Sequence, residues 1–152
     1  RDGGAPGAGK FRGGAGVVKA QRYLTPGFMT HESDRHEDAP WGIFGGKPGV
    51  GGKMEIYNVA RPDEIASEPA KFSGRRTEPG DVVAYFSPAG GGYGNPLERD
   101  PAKVLDDVLD GFITLQHATD DYGVVFDAID DGYGWQVNAE ATWARRNELL
   151  AR

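Results

Sequence analysis

The sequence predicts an α+β fold: short strands and glycine-rich, polyproline-II-like segments first, then two or three short C-terminal helices, the whole completed by a partner subunit. Three observations predict it. Glycine is 24 of 152 residues, about twice the usual share, and it is clustered. Short apolar runs separate the clusters. From residue 97 onward the punctuation is that of helices. The chain reads as a single domain, 1–152, with a glycine-rich part over 1–96 and a mostly helical part over 97–152.

The first cluster holds Gly3, Gly4, Gly7, Gly9, Gly13, Gly14 and Gly16, and the second Gly42, Gly45, Gly46, Gly49, Gly51 and Gly52. The third is Gly90, Gly91, Gly92 and Gly94. Many fall three apart, as in 4 to 7, 46 to 49 to 52, and 91 to 94. Three residues is the repeat of a polyproline II helix, which makes no internal hydrogen bonds. Such segments bundle where one face lacks side chains, so that backbones approach and bond laterally. The runs are too short for a collagen helix. Phe11, Trp41, Phe44 and Tyr93 sit in or beside the clusters, where packing residues would, which disfavours a plain flexible linker.

Two stretches imitate a phosphate loop. Gly4-Ala-Pro-Gly-Ala-Gly9-Lys10 has the spacing, but Phe11 stands where a Ser or Thr would meet Mg²⁺. Gly46 to Lys53 misses by one residue and ends in Met54. No Gly-x-Gly-x-x-Gly opens a helix, so no dinucleotide fingerprint is present.

Strands are expected at Val17 to Leu24, with Val18, Ala20 and Leu24 on one face, and at Met54 to Ala60. A third runs from Asp81 to Ser87, where Val82 to Phe86 read as covered on both sides. Pro26-Gly27 and Pro79-Gly80 are turns, and Gly74 is a further break. His31, Asp34 and His36 are metal-type ligands. Their spacing matches no standard pattern, so the segment reads as a polar loop. Trp41 reads as an anchor returning the chain to the core.

Asp100-Pro101 starts a helix, with an N-cap acceptor and proline at N1. Val104, Leu105, Val108 and Leu109 form its apolar stripe; Asp106, Asp107 and Asp110 read as a solvated face; Gly111 ends it. A second helix covers Leu115 to Tyr122, capped by Thr114 and closed by Gly123, with His117 as a surface residue. Gly123 to Asp127 and Tyr133 to Val137 are strand-like, joined through a hairpin turn at Asp131-Gly132. Asn138 caps a last helix, about Ala139 to Ala151, whose thin stripe of Trp143, Leu149 and Leu150 suits packing on something larger.

Net charge is −6, which disfavours nucleic acid or an anionic membrane as partner. There is no cysteine, hence no disulfide or thiolate chemistry. No apolar run has membrane-spanning length. No signal peptide is visible, so a cytoplasmic location is expected.

Four stretches together resemble one family. Asp2-Gly3-Gly4 through Phe11-Arg12-Gly13-Gly14 is similar to the Asp-Ser-Gly-Gly … Gly-Arg-Phe-Arg-Gly-Gly opening of a region in the hydantoinase B family. Pro40-Trp41-Gly42 through Gly45-Gly46-Lys47-Pro48-Gly49 resembles its Pro-Trp-Gly … Gly-Gly-x-Pro-Gly stretch. Gly90 to Pro96, then Glu98-Arg99-Asp100-Pro101 and Val104 to Val108, resembles its glycine-tyrosine-glycine and Arg-Asp-Pro line. Tyr122-Gly123-Val124-Val125 resembles its close. The chain departs at Asn95, where Asp is usual, at Gly3 for Ser, in an insert around Ala5-Pro6-Gly7, and at His117-Ala118-Thr119.

The resemblance implies a place in a large ATP-dependent assembly. Its partners would be a larger B-type subunit and A-type ATPase subunits. ATP, Mg²⁺ and any further divalent metal would lie in those partners, and none in this chain. The expected function is that of a small, non-ATP-binding subunit of a carboxylase acting on an aryl ketone, acetophenone to benzoylacetate. The alternatives are the C-terminal piece of a hydantoin or 5-oxoproline hydrolase, and a non-enzymatic adaptor. No residue is assigned as catalytic, cofactor-binding or metal-binding. Tyr93, Arg12 and Arg99 stand beside glycine turns, where backbone approaches a ligand, and read as packing or a salt link at a subunit contact.

Overall fold

The computed structural model describes residues 4–129 and 134–151. The architecture is α+β, with eight strands and three helices among the described residues. They run β1 (Val18–Arg22), β2 (Gly27–Glu32), β3 (Lys53–Asn58), β4 (Arg61–Glu68), β5 (Lys71–Thr77), β6 (Asp81–Phe86), α1 (Pro101–Leu109), α2 (Leu115–Asp121), β7 (Phe126–Ile129), β8 (Gly134–Val137) and α3 (Ala139–Leu150). Every pairing between these strands is antiparallel. One sheet has the order β1-β6-β3-β4, and β2-β5 and β7-β8 form ribbons.

β6 lies between β1 and β3, and its Val82, Val83 and Ala84 are buried, as a strand covered on both sides requires. Met54 and Ile56 of β3 join Val83 in one core cluster. Met29 of β2 and Phe72 of β5 pack against that cluster, so the β2-β5 ribbon covers the larger sheet. The Glu78–Asp81 turn is held by Asp81 N donating to Glu78 O at 3.1 Å, with Gly80 at φ 89° beside Pro79.

Strands β2, β4 and β5 have no counterpart among the sequence expectations. β4 is exposed over nearly its whole length and contains Pro62, so it lacks an apolar alternation. β5 carries Gly74 at φ 68°, where its pairing with β2 shifts register. Pro26-Gly27, expected as a turn, leads directly into β2. β1 is an edge strand with all five residues exposed, and Leu24 lies outside it and outside the core.

A second core cluster joins Ala8 of the first glycine segment to Val104, Ile113, Ala118, Tyr122 and Val124. Asp100 caps α1 by accepting from Ala102 N, and Thr114 caps α2 by accepting from His117 N. Gly111 and Gly123 close these helices at φ 71° and 63°. Asn95 caps the one-turn 3-10 helix Pro96–Glu98 by accepting from Leu97 N, a role a carboxylate also fills. The expected turn at Asp131-Gly132 lies outside the described residues.

Of the expected α3 stripe only Leu149 turns inward, half-buried against Gly123. Trp143 and Leu150 are exposed, at 71% and 64%. The inward face carries Thr142, whose Oγ1 accepts from Val125 N at 3.0 Å. It also carries Arg146, which donates to Tyr122 O at 3.1 Å and to Arg99 O at 2.7 Å. Main-chain oxygens left free by the irregular segments at Arg99 and Tyr122 need donors, and Arg146 supplies both.

Candidate functional site: a glycine bundle with an aromatic crown

The three glycine clusters bond to one another. Gly7 N donates to Gly90 O at 2.9 Å, and Gly90 N to Gly14 O at 2.8 Å. Lys47 N donates to Ala8 O at 2.7 Å, and Gly92 N to Lys47 O at 2.9 Å. Ile43 N donates to Gly92 O at 2.9 Å. The side-chain-free face is needed for this: a Cβ on Gly46 would collide with the Gly92 carbonyl, and a Cβ on Gly92 with the Ala8 carbonyl. Glycines at spacing three serve two different ends. Gly46 and Gly49 permit close approach, whereas Gly4, Gly45 and Gly94 take positive φ at bends.

Tyr93 is the middle of the bundle's outer face. Its N–H donates to Phe11 O at 2.9 Å, and Phe11 N–H donates back to Tyr93 O at 3.0 Å. Its ring meets Phe44 edge-on at 5.3 Å between centroids and Phe11 at 6.1 Å. The three rings are exposed: Phe44 77%, Phe11 61% and Tyr93 49%. Trp41 is 63% exposed, with the Arg35 guanidinium 4.3 Å from the ring centroid, so it is no core anchor. These aromatics crown the bundle rather than fill it, because glycine backbones already occupy its interior.

Phe44 sits at the tip of a turn that Gly46 N closes onto Ile43 O at 3.1 Å. Phe44 has φ 51° and Gly45 φ 90°. Two central residues with positive φ are the mark of a type I′ turn, which favours Asn and Gly. A bulky side chain there costs roughly 1–2 kcal/mol.

Beneath the bundle, Arg12 and Arg99 meet on Asp107. Arg12 Nε donates to Asp107 Oδ1 at 2.9 Å, and Arg99 NH2 lies 2.8 Å from Oδ2. The second contact is off the angle of a hydrogen bond and acts as an ion pair. The Arg12 guanidinium also lies 4.4 Å from the Phe112 ring centroid. Asp107 is 5% exposed, so it is not part of a solvated face. The α1 stripe runs through Val104, Asp107 and Val108, and Leu109 is exposed. A periodicity of apolar residues alone cannot see a carboxylate that two arginines neutralise. Next to this group lies the Tyr122 ring, 1% exposed. Its hydroxyl has no hydrogen-bond partner among the described residues. Burial pushes its pKa up to about 12.

The phosphate-loop imitations are structural. Lys10 Nζ pairs with Glu98 at 3.0 Å, and Lys53 Nζ with Glu55 at 2.7 Å. His31 and His36 converge on Ser33, but Asp34 does not join them. Ser33 Oγ lies 2.9 Å from Nε2 of both His31 and His36, while Asp34 turns to Lys71 at 3.1 Å. Burial lowers the His31 pKa first, and the neighbouring His36 adds to it. Among the described residues no group of three His, Asp or Glu side chains is placed to hold a metal ion. His117 is half-buried and lines an open apolar groove with Val17, Val18, Phe112 and Ile113.

The chain belongs to the hydantoinase B/oxoprolinase family, whose model matches residues 1–96 and so spans all three glycine clusters. It is 43% identical to the B-type subunit of a putative D-/L-hydantoinase of Pseudomonas sp. (strain NS671), over 76% of this chain and 19% of that protein. It is 31% identical to the acetophenone carboxylase delta subunit of Aromatoleum aromaticum (strain DSM 19018 / LMG 30748 / EbN1), over 80% of this chain and 22% of that one. The crystal structure of an ATP-dependent caprolactamase from Pseudomonas jessenii superposes with TM-score 0.75 at 28% identity, over 95% of this chain and 24% of that chain. The chain thus spans about a fifth of the length of the relatives it matches. No helix among the described residues is long and apolar enough to cross a membrane.

Proposed function

We propose that this chain is the glycine-bundle portion of a B-type subunit in a multi-subunit, ATP-dependent enzyme, with a structural and assembly role. The observation that carries this is the pairing of two facts. The matched 1–96 stretch carries all three segments of the bundle, and the chain covers about a fifth of proteins named as subunits. In this reading residues 1–152 act as one unit, because the Arg12–Asp107–Arg99 group ties the glycine part to the helical part. The bundled segments run as polyproline II helices, which their lateral backbone bonds support. ATP and metal are handled by the rest of the B-type protein and by an A-type ATPase. The location is cytoplasmic. No side chain here is assigned a catalytic role.

Two substrate classes fit. Carboxylation of acetophenone to benzoylacetate rests on the 31% identity to the carboxylase delta subunit. Hydrolysis of a cyclic amide rests on the 43% identity to the hydantoinase relative and on the caprolactamase superposition, and this is the better supported of the two. ATP consumption by the complete assembly decides between them. ATP hydrolysis coupled to hydantoin or lactam opening supports the cyclic-amide reading. Coupling to acetophenone with bicarbonate supports the carboxylase. No coupling to either overturns both substrate assignments.

A further inference from the structure

We propose that the crown of Phe11, Phe44 and Tyr93 is the docking surface for the remainder of the B-type protein, taking an apolar pocket on it. This rests on the reading that the chain belongs to a B-type protein.

Strain is the first argument. Phe44 holds positive φ at a turn where glycine would sit without cost, yet its ring is 77% exposed and gains little burial within this chain. Strained residues persist where the surroundings over-determine them, and they cluster at clamps and sites of recognition. Here Gly46 N–H to Ile43 O fixes the turn, and Gly94 N–H to Ile43 O at 2.8 Å fixes its base.

Preorganisation is the second. Tyr93 is bonded by backbone to Phe11 on one side, and Ile43 bridges it on the other. Its ring is held between two further rings, so little conformational freedom is lost on docking. Rigid exposed aromatics are the usual energetic centres of interfaces. Lys10, the chain neighbour of Phe11, is paired with Glu98 at 3.0 Å, so its charge is neutralised beside the apolar surface of the crown.

The length of the relatives selects the occupant. The caprolactamase chain that carries this fold devotes 24% of its length to it, and the hydantoinase relative 19%. In such proteins the fold lies beside three-quarters or more of further B-type polypeptide. That remainder is the surface with which a rigid apolar crown has to be reconciled.

Hydroxyl-radical footprinting of the complete assembly tests this. Phe11, Phe44 and Tyr93 are expected to oxidise severalfold more slowly in the assembly than after unfolding in concentrated urea. A Phe44→Gly variant is expected to lower the yield of intact assembly while the chain itself stays folded. Glycine keeps the turn without strain, so a loss reports the missing ring. If the assembly forms and its crown oxidises as fast as the unfolded chain, the docking proposal is overturned while the B-type reading stands. If Phe44→Gly assembles as well as the parent, the docking proposal is likewise overturned. If the chain forms no assembly with a B-type protein, both readings fall.

Discussion

Asp107 Oδ1 accepts a hydrogen bond from Arg12 Nε at 2.9 Å, joining α1 to the glycine segment that opens the described chain. Arg99 faces the other oxygen at 2.8 Å, so two largely buried guanidinium groups share one buried carboxylate as counter-ion. Asp107→Asn removes the charge and leaves both cations uncompensated. Breaking a buried pair in this way costs about 3–5 kcal/mol. Asp106→Asn, on the exposed face of the same helix, is expected within about 0.5 kcal/mol of the parent. Urea unfolding of the three proteins checks it. Equal midpoints for Asp107→Asn and Asp106→Asn would remove the group's structural importance.

Gly46 and Gly14 separate the two kinds of glycine. A methyl group on Gly46 meets the Gly92 carbonyl, whereas nothing lies within 4 Å of a Cβ on Gly14. Gly46→Ala is expected to destabilise by about 3 kcal/mol or more, because a backbone partner cannot step aside as a side chain does. Gly14→Ala is expected to be neutral or slightly stabilising. Thermal melting of both variants decides this, and equal melting temperatures would contradict a bundle held by backbone contact.

The Tyr122 hydroxyl is buried beside Arg12, Arg99 and Asp107 without a hydrogen-bond partner among the described residues. Leaving such a group unpaired costs about 1–3 kcal/mol. Tyr122→Phe keeps the ring and removes the cost, so unfolding free energy is expected to stay level or rise. A clear fall in stability would mean that the hydroxyl is bonded in solution.

His31 supplies a pH dependence. Burial and His36 hold its native pKa below 6.5, so the folded state disfavours the imidazolium. As pH falls below 6.5 the unfolded chain takes up the proton first, and stability declines down to the lowered native value. His31→Phe is expected to flatten this decline. Urea midpoints between about pH 7 and pH 5 measure it. A steeper decline in the variant would reverse the assignment.

Much of this was legible in the residues, for reasons that particular positions make clear. Asp100-Pro101, Thr114 and Asn138 mark helix starts because their side chains meet free N–H groups locally. The glycine clusters announce lateral bonding, since no side chain competes for that space. Local signals cannot report the direction in which an aromatic faces, and Trp41, Phe44 and Trp143 all point outward. Nor can they report partners distant in sequence, which is why Asp107 reads as solvated until Arg12 and Arg99 are placed beside it. β4 is held by pairing to β3 and not by burial, so its sequence carries no alternation to find.

Affinity capture of the chain from its own cells, followed by native mass spectrometry, tests the proposed place in a larger ATP-dependent assembly directly. A complex of fixed stoichiometry containing B-type polypeptide and an ATPase is expected. Recovery of the chain as a stable monomer, with neither companion, would contradict it.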